Sequence, residues 1–335
     1  MAKAESEKRP IRSPVHPKKH GYCPLKRYDK LLPVILVDEL NKPCMNTLKH
    51  PLLAGLTLLL AVGCLTAQQS PKLANSLLWK IEGKDLETPS YLYGTIHVIS
   101  QSDFFLTDAT KAAFDESQEI VLELDMDDPQ MGAQMMQQAG MKDGQTLDKL
   151  LAEEDYQHLD SLVQKNMGMG IAMFNNWQPI LAFSLIVQEF IDGQMGSYEM
   201  SFVQMAQGAE KEITGLETVA EQIAAMGNIS YEAQADYLAE QLDDLESNRE
   251  LFREMVDLYK QQKITDLETY IVESSGGDAF AEHLLKDRNE KWVDRIHNKA
   301  KEGTIFFAVG AGHLAGENGV INLMRKAGFT VTAVE

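Results

Sequence analysis

The chain has 335 residues, with 31 Lys and Arg against 50 Asp and Glu and a formal charge of −19 at pH 7. Past Ala67 the balance is 20 basic against 45 acidic side chains, which argues against nucleic acid or an anionic membrane surface as a partner. Cys23, Cys44 and Cys64 all precede that point, so the remainder, about 268 residues, has neither a disulfide framework nor a thiolate metal site and suffices for one large domain.

Residues 1–44 are basic, proline-rich and without sustained periodicity, and read as a non-native or disordered extension, with Met45 as the alternative start. Residues 45–67 read as a signal peptide: Lys49 supplies charge, 52–63 an apolar stretch, and Leu65-Thr66-Ala67 a small-residue end, with cleavage after Ala67. The stretch is shorter than the ~20 residues of a comfortable membrane span. Ala61-Val62-Gly63-Cys64 leaves a second route open, lipidation of Cys64, which would tether the protein to a membrane. Either route implies export to the periplasm, cell envelope or medium. Residues 68–335 then form a single domain, with 128–300 a mostly helical insertion.

Residues 76–82 (SLLWKIE) and 90–98 (SYLYGTIHV) predict two strands, and the turn residues between them a hairpin. Residues 102–117 have a helical pattern, and 119–125 (EIVLELD) form a short apolar strand closing on acid. Helical signals dominate from 127 to about 300. The methionines of 131–141 read as gap-fillers rather than a copper or membrane stripe. Residues 146–166 predict an amphipathic helix, 175–194 a buried one and 197–208 a third. Residues 211–216 (KEITGL) suit a strand, and 223–260 and 264–274 are helical with acids on a solvated face. The tail returns to a strand (303–309), a helix (318–327) and a last strand (330–334). The fold class is therefore α+β: a mixed sheet built from N- and C-terminal segments with a large helical insertion. That insertion is expected to cover the site and select substrates.

Glycine, two residues, then histidine occurs twice, each time after an apolar strand: Gly94-Thr95-Ile96-His97 and Gly310-Ala311-Gly312-His313. A strand ending in glycine turns without a Cβ clash and delivers the histidine at the sheet edge. Imidazole there is a metal ligand or an acid–base group, or simply a hydrogen-bonded residue. Without cysteine, the other ligands of a metal must be carboxylate, water or histidine. Glu217 follows a glycine turn and reads as a second carboxylate of the site or as a helix N-terminal acid. His158, His283 and His297 lie on charged helical segments and are taken as surface residues.

The opening LLWKIEG and PSYLYGTIHVI, the strand end VLELD, a central TGLET, LLKDRNEKWVDRI and the paired G-x-x-H motifs, in that order, resemble the TraB/PrgY/GumN family, to which the TIKI metalloproteases are related. The resemblance runs from about 77 to 334. It implies a divalent metal (Mn, Co or Zn), a peptide or protein substrate, and metal ligation by His97, Glu123 and His313. Arg288 matches the family's arginine, a candidate catalytic residue together with Glu217. Without the resemblance, Glu123 reads equally as part of a solvated strand end beside Asp125, and Arg288 as a helix-surface cation pairing with Asp287 or Glu290. The implied function is an exported metal-dependent peptidase. Two alternatives stand beside it: an envelope protein that captures peptide without cutting it, and a hydrolase of small esters or lactones.

Overall fold

The aromatic and β-branched run after Leu77 folds into the expected hairpin, β1 (Leu78–Glu82) against β2 (Ser90–Thr95), with Leu78 opposite Tyr93 and Ile81 opposite Ser90. The computed structural model describes residues 73–83, 85–274 and 280–335. The extension 1–44, the leader 45–67 with its Cys64, and the expected cleavage point lie outside them. After β2 come a short β3 (Ile99–Ser100), α1 (Asp108–Glu116) and β4 (Glu119–Leu122). The helical middle holds α2 (Met131–Gln138), α3 (Leu147–Leu150), α4 (Glu153–Met167) and α5 (Pro179–Ala182). It continues with β5 (Met195–Gly196), α6 (Tyr198–Gly208), β6 (Glu212–Gly215), α7 (Val219–Met226), α8 (Tyr231–Asp243), α9 (Leu245–Lys260) and α10 (Ile264–Ser274). A wide π-helical stretch, Ala281–Lys286, runs directly into α11 (Asp287–Ala300). The chain closes with β7 (Ile305–Gly310), a 3₁₀ turn (Ala311–His313), α12 (Val320–Lys326) and β8 (Thr330–Ala333).

Among the described residues, six strands form one mixed sheet in the order β6-β4-β7-β2-β1-β8, and β3 pairs with β5 in a second, small one. The fold is α+β. β6, β4, β7 and β2 are mutually parallel, whereas β1 and β8 run antiparallel to their neighbours. The four parallel strands therefore end at one edge, where ligand crevices of α/β sheets form. Burial on both faces explains why β2 is buried along its whole length and why β7 is apolar rather than alternating. Tyr93 of β2 and Phe306 of β7 stack at 6.0 Å, and Phe202 of α6 and Phe114 of α1 reach Phe306 at 5.1 and 5.7 Å. Such pairs contribute about 0.5–1.5 kcal/mol each beyond their buried area, and here they clamp the two strands that carry the histidines. A second core, including Leu159, Val163, Ile171, Ile186 and Leu238, lies within the helical middle, and Phe252 packs against both cores.

Helix boundaries depart from the sequence pattern in four places, one of them the 223–260 stretch, which breaks after Met226 and again at Asp244. The helix expected at 102–117 starts only at Asp108, where the Thr107 side chain accepts from the Thr110 N–H. The 146–166 helix breaks at Leu151 and Ala152, both extended, and restarts with three acids in its first turn, which suits the positive end of the helix dipole. The buried helix expected at 175–194 is instead one turn from Pro179 followed by 3₁₀ turns. Ile186 sits between those turns at φ −117°, fully buried, so tertiary packing overrides the local helical preference. No helix among the described residues is long and apolar enough to cross a membrane.

α7 starts on a capping box, with the Thr218 hydroxyl accepting from the Glu221 N–H and the Glu221 carboxylate accepting from the Thr218 N–H. The Arg295 hydrogen bonds, then the Thr218 N–H, hold Glu221 down to about 2 from an ordinary 4.5. Because the folded-state value is depressed, this stabilisation is complete above about 4.5 and is lost as pH falls toward 2. Both side chains are more than a third exposed, so solvent screening limits the effect to about 0.5–1 kcal/mol. Denaturant unfolding of Glu221→Gln should show a loss of that size at pH 7, shrinking by pH 3; an equal loss at both pH values would refute the assignment.

Candidate functional site

The parallel register brings the two glycine motifs to the same height. Gly94 pairs with Val309 and Thr95 with Gly310, so both histidines leave the sheet at one edge. The ladder of β4 and β6 runs on past their last residues: Leu216 N–H donates to Leu122 O at 2.8 Å and Glu217 N–H to Glu123 O at 2.9 Å. This places the two carboxylates side by side. The approach requires a glycine at 215, since a Cβ there would lie 2.7 Å from Asp125 N and 2.9 Å from Glu217 O. Four of the five predicted residues thus follow from strand order, and Arg288 is brought to them by α11.

Around Gly310 the side chains converge. A Cβ at that position would lie 3.3 Å from Glu123 Oε1, 3.5 Å from His313 Cδ2 and 3.7 Å from His97 Nε2; the missing side chain is the space the three groups share. Gly310 N–H donates to Glu123 Oε1 at 2.8 Å, and His313 Nε2 is 3.8 Å from the same oxygen.

His97 Nδ1 donates to Glu199 Oε1 at 3.0 Å, and that oxygen also accepts from the Thr95 hydroxyl at 2.7 Å. Crowding disfavours the imidazolium, but the Glu199 carboxylate outweighs it and lifts the ring to about 9. With 67% of its side-chain surface exposed, the ring keeps its hydration and the carboxylate decides the direction. Among the described residues no protein group bonds to His97 Nε2.

His313 is the opposite case. Burial first, then the Arg288 charge, push it down to about 3, so it is neutral. Its tautomer follows from its partners. Asn289 uses its NH₂ on Asn318 O (2.8 Å) and His313 O (3.4 Å), leaving Oδ1 to accept from His313 Nδ1 at 2.6 Å. His313 Nε2 therefore carries the lone pair and accepts from Arg288 Nη1 at 3.1 Å.

Arg288 is no surface cation: its side chain is 9% exposed, and Glu123 and Glu217 are 9% and 3%. Its Nη2 donates to Glu123 Oε2 at 2.5 Å and to Glu217 Oε1 at 2.6 Å, Nε to Glu217 at 3.0 and 3.3 Å, and Nη1 to Leu284 O at 3.0 Å as well as to His313. Trp292, one turn on, lies 4.7 Å from the guanidinium and donates Nε1–H to Glu217 Oε2 at 3.3 Å. Glu217 is likewise not a helix-terminal acid, since Thr218 and Glu221 cap α7 and leave it to the arginine. Burial raises the Glu123 carboxyl and the Arg288 charge more than offsets it, so it stays ionised well below the usual range. His158, His283 and His297 lie away from the cluster; the last two pair with Asp287 and Asp85.

Glu199 and Asn289, which orient the two imidazoles, escape the sequence reading. Asn289 stands directly after Arg288 in LLKDRNEKW, and that adjacency was the one available signal. Glu199 sits in the first turn of α6 without a local sign of its role.

Among the described residues, no three His, Cys, Asp or Glu side chains form a ready metal-ligand group. The donor chemistry nevertheless fits a divalent ion. Two imidazoles, each with Nδ1 fixed by a carboxylate or amide oxygen, and one carboxylate oxygen around a shared space are what zinc, manganese or cobalt accepts. There are two departures: Arg288 holds the His313 Nε2 lone pair and Glu123 Oε2, and His97, lifted to about 9, must give up its Nε2 proton to take an ion. A cavity of about 500 Å³ opens beside the cluster, lined by Leu124, Met131, Glu217 and Val219 among others.

The chain is 25% identical over 325 residues to Metalloprotease TIKI1 of Danio rerio, a match covering 80% of this chain and 65% of that protein. It is 24% identical to Metalloprotease TIKI2 of Danio rerio (78% and 61% covered) and 25% identical to Metalloprotease TIKI1 of Homo sapiens (77% and 61%). The match thus spans less than two thirds of the length of these curated relatives. No solved structure matches. Residues 77–333, carrying both G-x-x-H motifs, Glu123, Glu217 and Arg288, match the TraB/PrgY/gumN family, and the chain belongs to that family.

Proposed function

We propose that the chain is an exported divalent-metal-dependent hydrolase of peptide bonds working at the edge where β2, β4, β6 and β7 end. The observation that carries this reading is the convergence of two imidazoles and a carboxylate around Gly310, in a chain whose relatives are metalloproteases. His97, Glu123 and His313 would hold the ion, Mn, Co or Zn. When bound, it supplies a Lewis acid for the scissile carbonyl and lowers the pKa of a water.

The protein's own groups do the rest. Glu199 and Asn289 fix the ring orientations by accepting hydrogen bonds from the two Nδ1–H groups, which leaves Nε2 of His97 for the cleft and sets Nε2 of His313 against Arg288. Arg288 keeps its proton at any working pH, and the two N–H groups it gives to His313 and Glu123 would become donors for negative charge on a carbonyl oxygen once an ion takes those two ligands. Glu217 holds the guanidinium plane. The cavity beside Glu217, with Met131 of the insertion in its wall, suits a substrate side chain, and methionine adapts to varied shapes. The substrate is a peptide or protein. The leader at 45–67 directs the chain out of the cytoplasm, to the periplasm, envelope or medium, with lipidation of Cys64 as the form that stays on a membrane.

Arg288 bonding to His313 favours a second reading, in which the cleft captures peptides without cutting them. Cleavage of a peptide library by the full chain, with Mn²⁺, Co²⁺ or Zn²⁺ and after chelation, separates the two. Ion-dependent turnover should fall by at least ~10³-fold in His97→Ala and in His313→Ala, with thermal unfolding little changed for the exposed His97. Binding of peptide with no turnover under any ion would replace the hydrolase by the capture protein.

A further inference from the structure

Arg288 spends every N–H it has. Nε–H goes to Glu217; one Nη2–H goes to Glu217 and the other to Glu123; one Nη1–H goes to Leu284 O and the other to His313 Nε2. Two of these five, to His313 Nε2 and Glu123 Oε2, occupy lone pairs on residues assigned above as ligands. The imidazole nitrogen has one lone pair, and it serves a proton donor or an ion, not both.

The other contacts form a separate anchor. Glu217 accepts from both Nε and Nη2, Leu284 O accepts from Nη1, and the Trp292 ring lies against the guanidinium while its own N–H holds Glu217. Releasing His313 and Glu123 therefore leaves the guanidinium paired and desolvated in place. The buried trio of Arg288, Glu123 and Glu217 also carries one more negative than positive charge, so the cluster can accept cation charge.

We propose that Arg288 is an internal competitor for the metal position: its guanidinium and a divalent ion alternate as partner of His313 Nε2 and Glu123, with Glu217 as the residue that keeps the arginine when the ion is bound. This rests on the reading of His97, Glu123 and His313 as ligands. The ion loads only by taking His313 from the arginine, which weakens its apparent affinity by the share of the protein in the arginine-bound form.

The test is isothermal titration of Zn²⁺ and Mn²⁺ into the full chain and into Arg288→Met/Glu217→Gln. That pair of changes removes one positive and one negative charge, so the net charge of the cluster is kept and only the competing donor is lost. Arg288→Lys is the second variant: it also keeps the charge, and a single ammonium lacks the planar fork that spans His313, Glu123 and Glu217 together. Circular dichroism checks that each is folded. Expected are affinities at least ~10-fold tighter than wild type for the double variant and ~3-fold or more for Arg288→Lys, with both gains abolished by His313→Ala. Affinity equal to or weaker than wild type in the folded variants overturns the competitor role while leaving the ligand assignment intact. Ion binding by neither wild type nor variants at millimolar concentration overturns both.

Discussion

Replacing Gly310 by alanine is expected to leave the protein folded and to lower the proposed peptide hydrolysis by at least ~10²-fold. The backbone tolerates the change, since Gly310 has φ −51° and ψ 134°, and the cost in stability should stay below about 1 kcal/mol. The space does not tolerate it. The new methyl would sit 3.3 Å from Glu123 Oε1 and 3.7 Å from His97 Nε2, closer to the carboxylate than ordinary packing allows, and would fill the volume on which the three groups converge. Displacement of reacting groups by an ångström or less is enough for a loss of that order. Thermal unfolding beside kcat/KM checks it: near wild-type turnover in Gly310→Ala would mean that the shared space is not where chemistry occurs.

The largest effect on stability is expected at Arg288. Arg288→Met leaves Glu123 and Glu217, 9% and 3% exposed, without their counter-charge, and breaking a buried pair in this way costs about 3–5 kcal/mol. Adding Glu217→Gln should recover most of that loss. One charge is then gone, and Glu123 keeps the Gly310 N–H and, more weakly, the Gln222 amide at 3.4 Å. Denaturant unfolding of the single and double variants measures both steps. A single variant within 1 kcal/mol of wild type would show that the carboxylates find other partners or protonate at little cost. The same comparison establishes the double variant as a folded vehicle for ion titration.

Much of the scaffold was legible because burial writes itself into local patterns. LLWKIE and SYLYGT are short runs rich in large apolar and aromatic residues bounded by turn residues and became β1 and β2; IFFAVG became β7, buried up to Gly310. The helix expected at 197–208 begins after Ser197 and ends at Gly208. Where local pattern and tertiary demand diverged, the pattern misled: residues 175–194 carry enough apolar side chains for a long helix, but Pro179 and the buried Ile186 divide it into short turns.

For the candidate site the division is sharper. Sequence alone determined that two glycine-ended strands each deliver a histidine, that acids follow two further strands, and that no cysteine follows Ala67. Those features are local, resting on the steric freedom of glycine and the periodicity of a buried strand. Only the tertiary structure decided that β2, β4, β6 and β7 end side by side, that Arg288 turns inward to Glu123, Glu217 and His313, and that Glu199 and Asn289 orient the rings. A charged side chain on a helix has the same local signature whether it meets water or a buried counter-charge. Its partner is chosen by strand order and helix docking across 71 residues from Arg288 to Glu217 and 165 to Glu123, distances over which no periodic pattern carries information.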